Sequence, residues 1–304
     1  MNSAIASTAH PGTAVVGLDI GGSKTRGIKW SNGEVLADAE VGSANVQNVS
    51  VAEAAANLAE LFARLGPGGV GVVYAGSGGI DTDDDAAALA GLIAPAVPGA
   101  AVSVVHDTRL LLAAGGADTG VAVIAGTGSA AWGTNTAGRT ARAGGWGYLL
   151  GDEGSGYWLG RESVRHSLRR MNRGLDPDTL TTALLRSCGL SGPAELIAAF
   201  HSADTGRRYW AARSPLVFDA AAGGHEPSLA LIRQAGADLA ELAAACARQL
   251  DTDGPIVLGG GVGMHQPALQ EAFRAELAAR GLPDVRVLAQ DPIFGVLRLA
   301  GGPA

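Results

Sequence analysis

The sequence predicts an α/β protein in which one strand order occurs twice. Three closely spaced strand patterns within residues 14–41 are followed by strands that alternate with helices, and a second such set begins at residue 120. Closely spaced strands pair as antiparallel hairpins, whereas strands that alternate with helices pair in parallel through right-handed crossovers. We therefore expect two domains with mixed sheets, related by a weak internal duplication.

The first half begins with a three-stranded meander. Residues 14–20 form a continuous apolar run bounded by glycine, which is typical of a buried strand. Asn32 and Gly33 favour a two-residue hairpin turn between the next two strands, at 25–30 and 34–41. The elements that follow are predicted as a helix at 51–66, a strand with a glycine loop at 69–80, a helix at 83–93, a strand at 101–107 and a helix at 108–117.

The second half repeats the meander and then becomes helical. Its sequence shows helical periodicity almost throughout 155–249, with the longest single helix predicted at 227–250. Strands are predicted at 120–128, 130–135, 139–145 and 285–290, and residues 255–264 are predicted as a strand that runs into a triple-glycine turn. The helical breaks are expected near 174–177, 189–193 and 223–227, and the last helices at 266–281 and 292–300.

The composition favours small-molecule partners. The chain has 304 residues, 47% of them hydrophobic, with a net charge of -7 and no cluster of lysine or arginine. Binding to nucleic acid or to an anionic membrane relies on a basic surface, so neither is expected. The first residues lack the pattern of a signal peptide, and no run reaches the roughly 18 apolar residues of a membrane span, which predicts a soluble, cytoplasmic protein.

The cysteines predict neither a disulfide framework nor a zinc site. Cys188 and Cys246 both lie in helical sequence, without a CxxC pair or a nearby histidine cluster. We expect both to be buried free thiols. The long apolar helices of the second half make a homodimer a reasonable expectation.

The stretch from Gly126 to Gly156 is the most unusual part of the chain. It contains ten glycines, two tryptophans and the acidic pair Asp152-Glu153. Glycine loses more conformational freedom on folding than any other residue, so this density indicates backbone that approaches a ligand closely or takes positive φ. Two tight hairpins without a ligand are the alternative interpretation.

Three glycine turns have the character of phosphate-binding loops. In DIGGSKT (19–25), Asp19 ends a buried strand and could hold a metal-bound water, while backbone N–H groups beyond it could bind phosphate oxygens. GTGS (126–129) follows the equivalent strand of the second half, and GGGVG (259–263) lies where a strand meets a helix. A plain hairpin remains the alternative for the first turn, and neither a Walker A loop nor a GxGxxG fingerprint is present there.

Polar side chains near these turns are candidates for catalysis and sugar binding. Asp107 ends the strand at 101–107 and is either the N-cap of the next helix or a general base. Asp152 is either part of a solvated turn or cap, or a carboxylate that accepts hydrogen bonds from sugar hydroxyls. Trp146 offers an apolar ring face, and Asn45 is either an ordinary loop residue or a further polar contact.

The ordered motifs resemble those of the N-acetylglucosamine kinases. These enzymes belong to the BadF/BadG/BcrA/BcrD ATPase family, within the actin, hexokinase and sugar-kinase superfamily. The resemblance spans nearly the whole chain, and its most specific part has the pattern GGWGxxxGDEGS. The matching segments are DIGGSKT (19–25), HD (106–107), GTGS (126–129), GGWGYLLGDEGSGYWLG (144–160) and LGGGV (258–262).

The resemblance implies two actin/hexokinase-type, ribonuclease H-like domains with a cleft between them. The domains would span 13–107 and 108–291, with a helical insertion at about 155–250 and a C-terminal helix at 292–304 that packs back on the first domain. The implied reaction is ATP-dependent phosphorylation of the 6-hydroxyl of an amino sugar, with Mg²⁺.

The resemblance also implies a role for each matching residue. Asp107 would be the catalytic base and Asp19 would bind Mg²⁺ through water. The sugar would contact Asn45, Ser129, Gly145, Trp146 and Asp152. The nucleotide would contact Gly21, Gly22, Ser23, Lys24, Thr25, Gly126, Thr127, Gly128, Gly259, Gly260, Gly261 and Val262.

One position departs from the family pattern and leaves the sugar open. The residue after GTGS is a sugar-contacting asparagine in the animal enzymes, but it is Ala130 here. We expect N-acetylglucosamine as the substrate, with glucosamine and other hexoses as alternatives. An activator-type electron-transfer ATPase would need cysteines in the glycine-rich region, which has none between Gly126 and Gly156. A non-catalytic sugar sensor is a further alternative, disfavoured by the presence of Asp107.

Overall fold

The chain folds into two units, each built on one sheet. The computed structural model describes residues 13–22, 24–80 and 82–300. The first unit contains the chain up to Asp118 together with the segment from Leu288 onward, and the second contains Thr119–Val287. The first unit extends past residue 107 because the helix that starts there packs against the returning C-terminal segment.

The first sheet has the predicted meander at one side and two parallel strands at the other. Its order is β3-β2-β1-β4-β5, with β1, β2 and β3 antiparallel and β1, β4 and β5 parallel. Asn32 and Gly33 both take positive φ, as the predicted hairpin turn requires. The strands are β1 (Ala14–Ile20), β2 (Lys24–Ser31), β3 (Glu34–Gly42), β4 (Val70–Ser77) and β5 (Ala101–His106).

The second sheet repeats this arrangement strand for strand. Its order is β10-β9-β6-β7-β8, again with an antiparallel meander and a parallel pair beside its first strand. The internal duplication predicted from the strand spacing is therefore confirmed. The strands are β6 (Gly120–Ala125), β7 (Ser129–Thr134), β8 (Thr140–Gly144), β9 (Ile256–Gly259) and β10 (Val285–Val287).

Helices complete the core of the first unit. The apolar stripe of the first helix, with Leu58, Leu61 and Phe62 fully buried, packs with Leu18 and Ile20 of β1. Burial of such side chains stabilises each by roughly 1.5–3 kcal/mol relative to exposure. The helices are α1 (Val51–Leu65), α2 (Asp83–Ile93) and α3 (Asp107–Ala114).

The second unit carries most of the helices. Its core forms where the longest helix presents Leu239 and Ala243 to Val123 and Leu258 of the sheet. Two breaks, at 202–206 and 212–214, divide the helical region further than the sequence predicts. The helices are α4 (Gly156–Asn172), α5 (Thr179–Cys188), α6 (Glu195–His201), α7 (Arg207–Ala211), α8 (Pro215–Ala222), α9 (Glu226–Leu250), α10 (Gly261–His265) and α11 (Pro267–Ala279).

The chain then returns to the first unit through a 3₁₀ turn, Pro292–Phe294, and a short helix, α12 (Gly295–Leu299). A Cβ placed on Gly295 would lie 2.1 Å from the Leu110 carbonyl oxygen of α3, so only glycine allows this approach. A Cβ on Gly17 of β1 would lie 2.8 Å from Val296. α12 therefore packs on α3 and β1, while the rest of the predicted segment, 301–304, lies outside the described residues.

Cys246 is a buried free thiol, as predicted, and Cys188 is a free thiol that is only partly buried. Burial raises the pKa of the Cys246 thiol to about 12. Among the helices that the structure describes, none combines the length and the apolar character needed to cross a membrane.

Candidate active site

The GTGS loop of the second unit exposes two unused backbone donors. The carbonyl oxygens of Gly126 and Thr127 accept hydrogen bonds from the start of α4. Their donors are the Gly156 N–H at 2.8 Å and the Tyr157 N–H at 3.2 Å, respectively. The N–H groups of Thr127 and Gly128 have no hydrogen-bond partner within the described part of the chain. A tight loop with free N–H groups, fixed to a helix start, is suited to bind phosphate oxygens.

The predicted turn at the end of β9 lies beside this loop. Gly259 pairs with Ile124 in the sheet, and Gly260 has φ 83°. A Cβ on Gly260 would be 2.6 Å from the Ala125 carbonyl oxygen, so this position accepts only glycine. A Cβ on Gly126 would lie 4.0 Å from the Gly261 nitrogen, which brings the two turns together. Val262, at the start of α10, packs against the position of Gly156.

Asp152 is a buried carboxylate held on both oxygens. Its exposure is 4% and its φ is 63°, unusual for a residue other than glycine. Oδ1 accepts from the Ser129 N–H at 3.3 Å, and Oδ2 accepts from Arg207 Nη2 at 2.9 Å. Ser155, whose side chain accepts from the Trp158 N–H, is the N-cap of α4. The solvated-turn and helix-cap alternatives for Asp152 therefore do not describe its position.

Ser129 and Gly145 support this turn. The Ser129 hydroxyl donates to the Glu153 carbonyl oxygen at 2.6 Å, so it positions the acidic turn. The Ser129 carbonyl oxygen accepts from the Gly145 N–H at 3.1 Å. A Cβ on Gly145 would lie 3.1 Å from Cβ of Ala130, which places Ala130 directly against Gly145.

Trp146 projects from this region with 62% of its surface exposed. The Arg142 guanidinium lies 5.1 Å from its ring centroid, and Arg142 Nη2 donates to the Gly145 carbonyl oxygen at 2.5 Å. A cation over one ring face holds the indole while leaving much of the side chain open to a ligand.

In the first unit, Asp107 and Asn45 flank Gly78. A Cβ on Gly78 would be 3.4 Å from Asp107 Oδ2 and 3.9 Å from Asn45 Nδ2. Asn45 donates from Nδ2 to the Gly78 carbonyl oxygen at 3.2 Å and accepts on Oδ1 from the Gln47 N–H at 2.9 Å. No pattern around Gly78 indicates that it lies between these two side chains.

Asp107 is free to act on a ligand, because His106 performs the capping role. The His106 side chain accepts from the Thr108 N–H, so His106 is the N-cap of α3 and Asp107 is its first residue. His106 Nδ1 lies 3.0 Å from Asp107 Oδ1 but is directed at the Thr108 hydroxyl, 2.7 Å away. Asp107 Oδ1 is buried and has no hydrogen-bond partner among the described residues.

Asp19 lies in a field of like charge. Burial first, and then the carboxylates of Asp107 and Asp291, raise the pKa of Asp19 to about 6, while Lys24 and Arg26 oppose this shift. Burial, together with the two neighbouring carboxylates, disfavours the ionised form of Asp19, and a hard divalent cation would offset that cost.

Hydrogen bonds to neighbouring residues hold the first glycine turn, which contains Gly21 and Gly22, in place. Gly21 donates its N–H to the Lys24 carbonyl oxygen at 2.9 Å, and its own carbonyl oxygen accepts from the Ser43 hydroxyl at 2.8 Å. A Cβ on Gly22 would lie 3.2 Å from the Asn48 amide nitrogen. Ser23 lies outside the described residues.

Lys24 and Thr25 differ in what they offer a nucleotide. Lys24 is exposed and pairs with Glu40 at 2.6 Å. Thr25 is fully buried, and its hydroxyl accepts from the Ala44 N–H at 2.9 Å. Its side chain therefore links β2 to the segment that carries Asn45.

Arg207, in α7, is the residue of this site that the sequence did not indicate. It is separated from Asp152 by 55 positions, and no motif surrounds it. Its guanidinium also lies 5.2 Å from the ring centroid of Tyr148, in the glycine-rich stretch. Only the fold brings this cation to the buried carboxylate.

Arg207→Met is expected to raise the KM for the sugar about tenfold with a smaller effect on kcat. The substitution removes a charge-assisted hydrogen bond that orients Asp152. Because Arg207 is itself partly exposed, we expect a free-energy loss at the low end of the range usual for such bonds. Steady-state kinetics with the neighbouring exposed Arg208→Met as the control would test this. Equal kinetic constants for the two variants would contradict the role of Arg207, and Arg207→Lys should recover part of the affinity.

The repeated five-stranded sheets and their glycine turns define the class of the protein. This is the α/β fold of the actin- and hexokinase-like ATPases. The chain belongs to the BadF/BadG/BcrA/BcrD ATPase family, whose model matches residues 16–288.

Known relatives match over nearly their full length. The chain is 29% identical to an N-acetylmuramic acid/N-acetylglucosamine kinase of Clostridium acetobutylicum, covering 94% of this chain and 97% of the relative. It is 27% identical to an N-acetyl-D-glucosamine kinase of Dictyostelium discoideum, with the same coverage. A solved structure from Chromobacterium violaceum, described as a candidate N-acetylglucosamine kinase, matches with a TM-score of 0.69 and 29% identity, covering 95% of this chain and 99% of that one.

Proposed function

We propose that the protein is an ATP-dependent kinase that transfers the γ-phosphoryl group to the 6-hydroxyl of N-acetylglucosamine. The observation that carries the proposal is the GTGS loop, whose Thr127 and Gly128 N–H groups are unpaired among the described residues. The same loop adjoins the buried carboxylate of Asp152, since a Cβ on Gly128 would be 2.7 Å from Asp152 Oδ2. Hydrogen-bond donors for a phosphate group therefore lie next to a carboxylate that can accept hydrogen bonds from sugar hydroxyls.

Asp107 is the proposed general base. Its Oδ1 has no partner in the described part of the chain, and Asn45 lies on the other side of Gly78, where it could orient a hydroxyl. In the reaction, Asp107 accepts the proton of the 6-hydroxyl as that oxygen bonds to the γ-phosphorus and the bond to the ADP oxygen breaks. Phosphoryl transfer depends on positioning and charge stabilisation, so one base and fixed donors suffice.

Mg²⁺ is the proposed metal, and the residues of the first unit fit it. The carboxylates of Asp107 and Asp291 both act electrostatically on Asp19, and Asp107 Oδ1 is buried without a hydrogen-bond partner in the described part of the chain. Asp19 would hold the ion through water. The ion would neutralise phosphate charge as it develops.

Asp152 and Trp146 are the proposed sugar contacts. Asp152 keeps lone pairs beyond those used by Ser129 and Arg207, and a carboxylate has about four acceptor positions. Trp146 supplies an exposed ring for the apolar side of the sugar. Gly145 and Ser129 would hold the two in place.

The second candidate function is an amino-sugar kinase that does not require the N-acetyl group of its substrate. Ala130 favours this candidate. This alanine has no polar group to offer an acyl substituent, and it packs against Gly145. Glucosamine would then be phosphorylated at a comparable rate.

ADP release should be measured with N-acetylglucosamine, N-acetylmuramic acid, glucosamine and glucose at equal concentrations. We expect the highest kcat/KM with N-acetylglucosamine, and phosphorus–carbon coupling at C6 in the product spectrum. Phosphate on the anomeric carbon would contradict the proposed position. No turnover with any of the four sugars would overturn the kinase proposal.

A further inference from the structure

Two histidines and an aspartate converge in the helical part of the second unit. His166 lies on α4, Asp178 is the N-cap of α5, and His225 is the residue before α9. The Nε2 atoms of His166 and His225 lie 2.7 Å and 2.9 Å from the same oxygen, Oδ2 of Asp178. The proposed kinase reaction uses none of these three residues.

Asp178 and His225 each have one further polar atom engaged elsewhere, which directs the remaining atom of each toward the cluster. Asp178 Oδ1 accepts from the Thr181 N–H at 2.9 Å and caps α5, so Oδ2, which contacts both histidines, is the oxygen available to a metal ion. His225 Nδ1 lies 2.8 Å from the Ser228 hydroxyl. A serine hydroxyl can accept as well as donate, so it can fix the tautomer in which Nε2 is unprotonated and able to bind a metal.

The three donor atoms have the spacing of a metal site. All lie within 4.8 Å of one another, and the two imidazole planes are 88° apart. Two nitrogens and one carboxylate oxygen, with a fourth position for water, are a ligand set that Zn²⁺ accepts at about 2.0–2.2 Å. The side chains are 12–17% exposed, so the site is sheltered but reachable from solvent.

Arg170 is the cation that the described residues place against this site. Arg170 Nε is 3.4 Å from Asp178 Oδ2, but Nε and Nη2 also donate to the Asp176 carbonyl oxygen at 3.0 Å and 2.7 Å. The guanidinium is therefore anchored elsewhere and need not move when Oδ2 binds an ion. Its charge lowers the affinity for a dication, so we expect binding weaker than that of a closed structural zinc site.

We propose that His166, Asp178 and His225 form a site for a divalent transition-metal ion of the zinc class, which ties α4, α5 and α9 together. A bound ion replaces two hydrogen bonds by three coordination bonds to separate helices. Because the ion binds the folded form, it raises the free energy of unfolding as its concentration exceeds the Kd.

The test uses the full chain without a histidine tag, stripped with a chelator and titrated with Zn²⁺ and with Co²⁺. We expect equimolar Zn²⁺ binding by calorimetry, a rise in Tm with Zn²⁺, and the intense visible bands of four-coordinate Co²⁺. None of these three readouts depends on kinase activity. No Zn²⁺-dependent rise in Tm would reduce the cluster to a hydrogen-bonded triad and overturn the proposal.

Asp178→Asn is the decisive variant, because asparagine also caps helices. It should keep α5 and the fold, yet lose the anionic ligand and weaken Zn²⁺ binding by at least about tenfold. His225→Ala should abolish the Co²⁺ bands, and the exposed His201→Ala on α6 is the matched control that should bind like the unaltered protein. Equal Zn²⁺ affinity in Asp178→Asn and in the unaltered protein would contradict the site.

Discussion

Asp107→Asn is expected to lower kcat by about 10²–10⁴-fold and to leave the KM for the sugar nearly unchanged. The amide keeps the size of the side chain and its place at the start of α3, but it cannot accept the proton of the attacking hydroxyl. Because His106 caps the helix, the loss of the carboxylate should not remove the cap. The fold and the binding of substrate should therefore survive while the chemical step fails.

Steady-state kinetics and thermal unfolding, measured together, check this expectation. Asp84→Asn, on the exposed face of α2, is the matched control and should keep full activity. A kcat within tenfold of the unaltered protein, with the same Tm, would show that another group takes the proton. A similar loss of activity in Asp84→Asn would indicate that the substitutions lower the stability of the protein rather than the rate of the chemical step.

The repeated fold could be predicted because its signals are local. The hairpin at Asn32 and Gly33 follows from the positive φ that these residues tolerate, and both appear with it in the structure. Apolar strand runs separated by helical periodicity then predict the two mixed sheets. The same reasoning misses α10, because Gly261–His265 contains two glycines and no helical pattern of its own.

The candidate site could be predicted only in part, because sequence does not show which polar atoms the protein uses internally. Thr25 and Ser129 both look available in their motifs, yet one hydroxyl accepts from Ala44 and the other donates to Glu153. The contact of Arg207 with Asp152 joins distant segments and has no local signal. Long-range contacts of this kind depend on how the helical insertion packs.

The ambiguity at Asp107 had a physical source as well. An aspartate between a strand and a helix is a common N-cap, and the pattern alone does not separate capping from catalysis. The preceding His106 takes the capping role, which leaves Asp107 Oδ1 without a partner in the described chain. This contact excludes the capping alternative, and the role of Asp107 as a base stays a prediction.

Asp19→Asn is expected to abolish most activity and, above pH 6, to make the nucleotide-free protein more stable. The activity falls because the proposed holder of the Mg²⁺ water shell is lost. The stability rises because the fold disfavours the ionised form of Asp19, mainly through burial and then through Asp107 and Asp291.

The pKa of Asp19 determines at which pH the substitution should raise the free energy of unfolding. The folded-state pKa of Asp19 is about 6, above the ordinary value of 3.8. Below pH 3.8 the group is protonated in both states and imposes no penalty; the penalty grows between the two values and is complete above pH 6. Each pKa unit corresponds to about 1.4 kcal/mol, so the penalty removed by the amide is at most about 3 kcal/mol.

Denaturant unfolding of the nucleotide-free protein at pH 7.5 and at pH 4 measures this directly. Asp19→Asn should exceed the unaltered protein in free energy of unfolding at pH 7.5, and the difference should shrink toward zero at pH 4. Asp38→Asn is the informative control, because the Arg26 hydrogen bond lowers the pKa of Asp38 and its loss should destabilise the protein at pH 7.5. If Asp19→Asn were also less stable at pH 7.5, the carboxylate would be a stabilising group, which would contradict its raised pKa.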